Sequence, residues 1–249
     1  MKAKLTILII LVYCGTLLIN LPASVAVSWL PTGSIKIAGA TGSLWQGGAK
    51  EVTVNRKMKF KNIKWNVELM ALLGMSLQAN VSFDNGPKTM SGKAVVEYGF
   101  SGASASDVIL DLTSETVVSL LPMPIPAKIA GDFSVAIKEV KQGKPYCEEL
   151  DGVVIWKNAY VYSELGDVDL GSPNVKLSCD KGDFSALMTQ KSVHIESIVN
   201  IKLSEGAQYK LSGEITGTDK LAPGIAQSLS WVGPENESGS TVLNLEGKL

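Results

Sequence analysis

The chain has 249 residues, with 23 Lys+Arg against 24 Asp+Glu, one histidine and a formal net charge of −1. A balance this even, with no basic patch, argues against nucleic-acid binding, and one histidine leaves little for histidine-based catalysis or for a metal centre. Once its amino-terminal segment is set aside, the length suits one domain or two closely joined ones.

Lys2 and Lys4 are the only charges in the first 35 residues, and Leu5 to Leu21 is almost wholly apolar. With the Ala/Val/Trp extension this run reaches the roughly 20 residues that a bilayer requires. Basic residues before it and none just after it place the amino terminus in the cytoplasm and the bulk outside. The expectation is a cytoplasmic tail over 1–4 and a transmembrane anchor over 5–26. A cleaved signal peptide is the alternative, since Ser24-Val25-Ala26 resembles a cleavage site, but the run exceeds the usual h-region of about 7–15 residues. Without Lys2 and Lys4 the exported part carries 21 basic against 24 acidic residues.

Next comes "GATGSLWQGGAKEV", residues 39–52, with Gly42 and Gly47 around Trp45. A phosphate loop needs Lys-Ser or Lys-Thr opening a helix. Here an alternating strand pattern follows instead, so the stretch reads as a sharp corner with a large ring over glycine, where glycine supplies positive φ.

Beyond that corner the chain reads as sheet. Period-two alternation recurs at Val52/Val54, Met58/Phe60, Ile63/Trp65/Val67 and Leu77/Ala79/Val81/Phe83, then at Phe133/Val135/Ile137, Val175/Leu177/Cys179, Val199/Ile201/Leu203, Tyr209/Leu211 and Leu243/Leu245. Such alternation belongs to antiparallel strands with one wet and one buried face. Asp84-Asn85-Gly86-Pro87, Lys141 to Pro145, Gly171-Ser172-Pro173-Asn174 and Asp180-Lys181-Gly182-Asp183 separate them as turns. Short helices are expected over Glu68–Met75, over Ser114–Leu121 with Ser114 as N-cap and Pro122 as terminator, and over Pro223–Trp231.

Two landmarks repeat. Trp45 precedes Tyr98 by 53 residues, and Trp156 precedes Tyr209 by the same interval. Each tryptophan follows a glycine-led turn (Gly42, Gly152), and each tyrosine opens Tyr-x-x-Ser-Gly, ending at Gly102 and Gly213. This predicts two tandem β units of about 111 residues, over 33–125 and 126–249.

Cys14 lies in the apolar run, leaving Cys147 and Cys179 in an oxidising compartment, where an even number points to a disulfide. It would be worth about 3–4 kcal/mol by chain entropy. Chemistry is otherwise sparse. His194, between Val193 and Ile195, is expected on the wet face of a strand, and no Gly-x-Ser-x-Gly elbow accompanies it. Glu148, Glu149, Asp151, Asp167 and Asp169 read as solvated charges rather than a glycosidase pair. No catalytic, cofactor or metal residues are assigned.

Several motifs together resemble the type II secretion system protein N family. They are the Lys-led run with Leu21-Pro22-Ala23, Gly39-x-x-Gly42-x-Leu44-Trp45-x-Gly47-x-Ala49, and Trp65 ahead of Leu72-Leu73-Gly74. Cys147-x-x-Leu150-x-Gly152-x-x-x-Trp156, Leu177-x-Cys179-x-x-Gly182 and Gly206-x-x-Tyr209-x-Leu211-x-Gly213 complete the set. The resemblance implies a single-pass inner-membrane protein whose mainly-β periplasmic domain is a non-enzymatic part of the apparatus exporting folded proteins across the outer membrane. Its partners would be other components of that apparatus and the inner membrane. The family is also distantly similar to AsmA-like periplasmic proteins, so a β groove holding lipid is the second expectation. An apolar sheet face left over after the core is filled would mark it.

Overall fold

The computed structural model describes residues 2–28, 35–55, 58–121 and 126–248. The chain divides into two compact units, residues 1–85 with 95–100 and residues 86–94 with 101–249.

In the first unit the apolar run forms two helices, α1 (Lys2–Ile19) and α2 (Ala23–Ser28). They part at Asn20-Leu21-Pro22, where proline brings no N–H to a helix. There the chain docks on its own sheet: the Leu44 N–H donates to the Leu21 carbonyl at 2.9 Å, Pro22 bridges to Ser43, and Ala23 is 1% exposed. Residues 20–26, expected inside a single span, are thus divided between this dock and a second helix. Among the described residues no helix is long and apolar enough to cross a membrane. Trp29 and Leu30, in the extension of the expected span, lie outside the described residues.

The sheet of this unit holds β1 (Ile35–Ala38), β2 (Thr41–Gly42), β3 (Gln46–Val54), β4 (Met58–Glu68) and β5 (Leu77–Asp84). The order is β1-β3-β4-β5, antiparallel, with β2 also on β3. Register sets the apolar residues against one another: Val52 opposite Phe60, Ala49 opposite Ile63, Trp65 opposite Val81. Phe60 and Phe83 meet edge to face at 4.9 Å. The helix expected over Glu68–Met75 is a 3-10 turn, Leu69–Gly74, closed by Met75 in the left-handed region (φ 58°).

The next strand, β6 (Met90–Gly99), gives residues 90–94 to the second unit and 95–99 to the first. The second unit continues with β7 (Gly102–Thr113), α3 (Ser114–Leu120), β8 (Lys128–Gln142), β9 (Cys147–Ser163), β10 (Gly166–Gly171), β11 (Asn174–Asp180) and β12 (Asp183–Lys191). β13 (Ile195–Ser204), β14 (Gln208–Gly217), α4 (Pro223–Val232) and β15 (Thr241–Lys248) follow. The antiparallel order is β7-β8-β9-β11-β12-β13-β14-β15, with β10 off this path on β9. At the turn foreseen over 180–183, Lys181 and Gly182 both have positive φ (52° and 96°), the geometry of a two-residue hairpin loop. The N-cap of α3 is Thr113, not Ser114: its Oγ1 accepts from the Thr116 N–H at 3.3 Å. Pro122 lies outside the described residues.

Among the described residues Val168, Ile195 and Leu221 form a buried cluster, with Leu170, Ile215, Ile225 and Leu229 packed around them, and β10 and α4 supply one side. Ala186, Val199 and Leu243 are buried on the sheet as well.

Candidate interaction surfaces

Reading the register across the second unit gives two unlike faces. Leu110, Val135, Val154, Val175, Met188, Val199, Gly213 and Leu243 stand opposite one another in one row. Two residues along each strand, Val108, Ile137, Gly152, Leu177, Ala186, Ile201, Leu211 and Leu245 form the next. This face is apolar throughout, yet Leu110, Val135, Val154, Val175, Leu177 and Met188 are only half-buried. The core around Val168 occupies one end of it, and the middle is left uncovered by the elements described. The other face is mixed. Ile109, Ala136, Val153 and Lys176 form a row there, flooring a hollow of about 710 Å³ that Lys93, Lys138, Asp107 and Asp151 also line.

Cys147 and Cys179 are bonded, with Cα atoms 6.1 Å apart. The ladder between β9 and β11 ends at Ser178 opposite Asp151, so the bond fastens the strands beyond their last paired residues. The hairpin turn closes over this end: the Tyr146 N–H donates to the Gly182 carbonyl at 3.1 Å, and the Tyr146 hydroxyl donates to the Ser204 carbonyl at 3.0 Å.

The residues singled out in sequence have distinct places. Trp156 stacks on Phe133 at 5.0 Å, and its Nε1–H donates to the Ala130 carbonyl at 3.0 Å. Gly152 sits in the second apolar row. A Cβ on Gly213 would lie 2.8 Å from the Val199 Cα, so only glycine lets β13 approach there. Tyr209 lies within β14, its ring against Gly247, whereas Tyr98 ends β6 beside a tight turn. Gly42 has φ 81°, as a corner requires. The ring against Gly47 is that of Trp65, whose Cζ2 lies 2.6 Å from where a Cβ would be and whose Nε1–H donates to the Leu44 carbonyl at 3.0 Å. Trp45 itself lies in the bend before β3.

His194 is not on the wet face of a strand. It precedes β13 in a turn, half-buried, and the Asp169 N–H donates to its Nδ1 at 2.8 Å. The Ser192 hydroxyl takes the N–H groups of His194 and Ile195, which turns the chain. His194 thus pins β10 to the sheet. Substituting His194→Ala orphans the Asp169 N–H and is expected to cost about 1–2 kcal/mol. Hydrogen exchange should report it as lost protection confined to β10.

Glu148 pairs with Lys141 at 2.9 Å. Asp167 and Asp169 stand opposite Tyr162 and Tyr160, and Tyr160 is pushed above the ordinary phenol value first by desolvation, then by Asp167, Tyr162 and Asp169. Among the described residues no three His, Cys, Asp or Glu side chains converge as metal ligands would.

The outer side of β15 is an edge of the sheet. The Val242 N–H donates outward to the Pro234 carbonyl at 2.8 Å, and the Asn236 N–H to the Ser240 carbonyl at 2.9 Å. Because successive residues point their backbone groups to opposite sides, Asn244, Glu246 and Lys248 direct theirs the same way, beyond the reach of that bridge.

The family model of type II secretion system (T2SS), protein N matches residues 33–244. The type II secretion system protein N of Vibrio cholerae serotype O1 is 30% identical over 236 residues, 94% of this chain and 93% of that relative. That of Aeromonas hydrophila is 27% identical over 256 residues, spanning 100% of both chains, and that of Pectobacterium carotovorum 24% identical over 88% and 86%. No solved structure matches significantly.

Proposed function

We propose, from the premise that this chain belongs to the type II secretion system protein N family, that it is a non-enzymatic docking component of that system. It is held at the inner membrane by its amino-terminal run, its β units lie in the periplasm, and it takes a strand of another component onto β15. The carrying observation is the outer side of β15, unpaired among the described residues, where Asn244, Glu246 and Lys248 offer backbone donors and acceptors in register. Such edges recruit extended segments by strand addition. The apolar face ends at the same strand, in Leu245, 45% exposed, so an added strand continues both ladder and apolar row.

Proline scanning separates docking from folding. Glu246→Pro removes an outward N–H and leaves the ladder to β14 intact, a place where edge strands tolerate proline. It should abolish co-purification of secretion components while the melting temperature barely moves. Leu245→Pro removes an inward N–H and should lower stability by about 3 kcal/mol or more. Normal co-purification by Glu246→Pro would reject the edge.

A second reading rests on the apolar face. Rows of half-buried Val, Leu, Ile and Met with no covering layer among the described residues suit an acyl chain. Phospholipid retained by the purified protein, and lost on Val154→Asp, would favour it.

A further inference from the structure

The end of the first unit that receives the amino-terminal run is also heavily exposed and apolar. The Leu21 carbonyl is bound by the Leu44 N–H, and one residue on the Trp45 carbonyl is bound by the Val67 N–H at 2.7 Å. The 3-10 turn begins two residues later. Within it and just after it, Leu69, Met70, Leu72 and Met75 are 45%, 74%, 43% and 70% exposed. The end of β6 lies alongside: a Cβ on Gly99 would be 3.3 Å from the Ser76 Cβ and 3.7 Å from the Met75 carbonyl. Tyr98 and Phe100, on either side of Gly99, are 68% and 91% exposed. Six large apolar side chains thus stand in water at one end of the sheet, in two adjacent loops. Isolated exposed apolar residues need no explanation, but a cluster marks a contact surface.

We propose that this tip, Leu69 to Met75 with Tyr98 and Phe100, inserts into the interfacial layer of the bilayer that holds the amino-terminal run. The first unit is then fastened to the membrane at two points. The proposal rests on the anchoring part of the functional reading above. The occupant follows from position and chemistry. The tip follows Val67, whose N–H binds the Trp45 carbonyl beside the Leu21–Leu44 bond where the apolar run leaves the sheet, so a membrane holding that run lies next to these loops. Leu, Met and Phe bury acyl-facing surface, and Tyr places a hydroxyl among headgroups. Charge argues for shallow apolar insertion rather than attraction to anionic lipid: the nearby ionisable residues are Glu68, bound by the Asn80 amide at 3.3 Å, and Glu97. The contact should therefore persist at high salt.

Full-length protein with Cys14→Ser, its Cys147–Cys179 bond intact, is reconstituted in phosphatidylethanolamine/phosphatidylglycerol vesicles carrying spin-labelled acyl chains. An environment-sensitive fluorophore is placed singly at Val12→Cys, Met75→Cys, Phe100→Cys or Asn55→Cys. Asn55 follows β3 at the opposite end of the sheet. Quenching at 12, 75 and 100 but not at 55, unchanged by high salt, is the expected result. Quenching at 12 with full emission at 75 and 100 overturns the tip and leaves the anchor standing. Full emission at 12 with quenching at 75 and 100 overturns the anchor and leaves the tip. Equal quenching at 55 overturns the tip, because adsorption is then unspecific. The triple variant Met70→Asp/Met75→Asp/Phe100→Asp alters only exposed side chains. It should keep the parent's melting temperature and release the headgroup contact; retained quenching from a label at Tyr98→Cys in that variant overturns the proposal.

Discussion

The double substitution Cys147→Ser/Cys179→Ser should lower the unfolding free energy by about 3–4 kcal/mol, because the bond constrains a loop of sequence separation 32 in the unfolded chain. For a domain of this size that is about 6–16 °C in melting temperature. The native strands hold their register without it, so the loss should sit mainly in the unfolded state. Denaturant titration in mild detergent checks this: the midpoint falls and the slope rises as the unfolded chain expands. Reductant should bring the parent to the level of the double variant and leave that variant unchanged. Equal stability of parent and double variant would remove the clamp from any account of this protein.

Trp156→Ala should cost a comparable amount, about 3–4 kcal/mol, since it deletes a large stacked ring and strands the Ala130 carbonyl. Trp156→Phe keeps the stack on Phe133 and gives up the N–H, so about 1 kcal/mol is expected. The difference between the two variants isolates the ring from its hydrogen bond. If Trp156→Phe proved as damaging as Trp156→Ala, the Ala130 contact rather than the stack would be holding β8 to β9. Calorimetry of the two variants decides it.

Much of the fold was legible. Strands such as Ile63/Trp65/Val67 and Val199/Ile201/Leu203 announce themselves by alternation, and Asp180-Lys181-Gly182-Asp183 by its turn chemistry. The pairing of Cys147 with Cys179 followed from counting. What escaped was decided at long range. Ring and glycine are matched by register, so Trp65 rather than the nearer Trp45 faces Gly47. His194 has strand-like neighbours, but the Ser192 hydroxyl bends the chain first. Pro22 lies within a run that reads as one span, but Ser43 and Leu44 claim its neighbourhood. Alternation also promised an apolar face without saying whether anything would cover it, and over Val154 and Val175 nothing described does.

The strand order of the second unit carries a consequence for how the chain is made. From β7 to β15 each strand pairs with the one before it, except where β10 steps aside and β11 returns to β9. Every pairing therefore uses partners close in sequence, which keeps the entropy of closing each loop small. A chain emerging amino end first can add strands in order of arrival, with no early segment waiting on a late one. The Cys147–Cys179 bond needs only the strands up to β11, so its formation does not wait on β12 to β15. β15 is the last of the described strands to arrive.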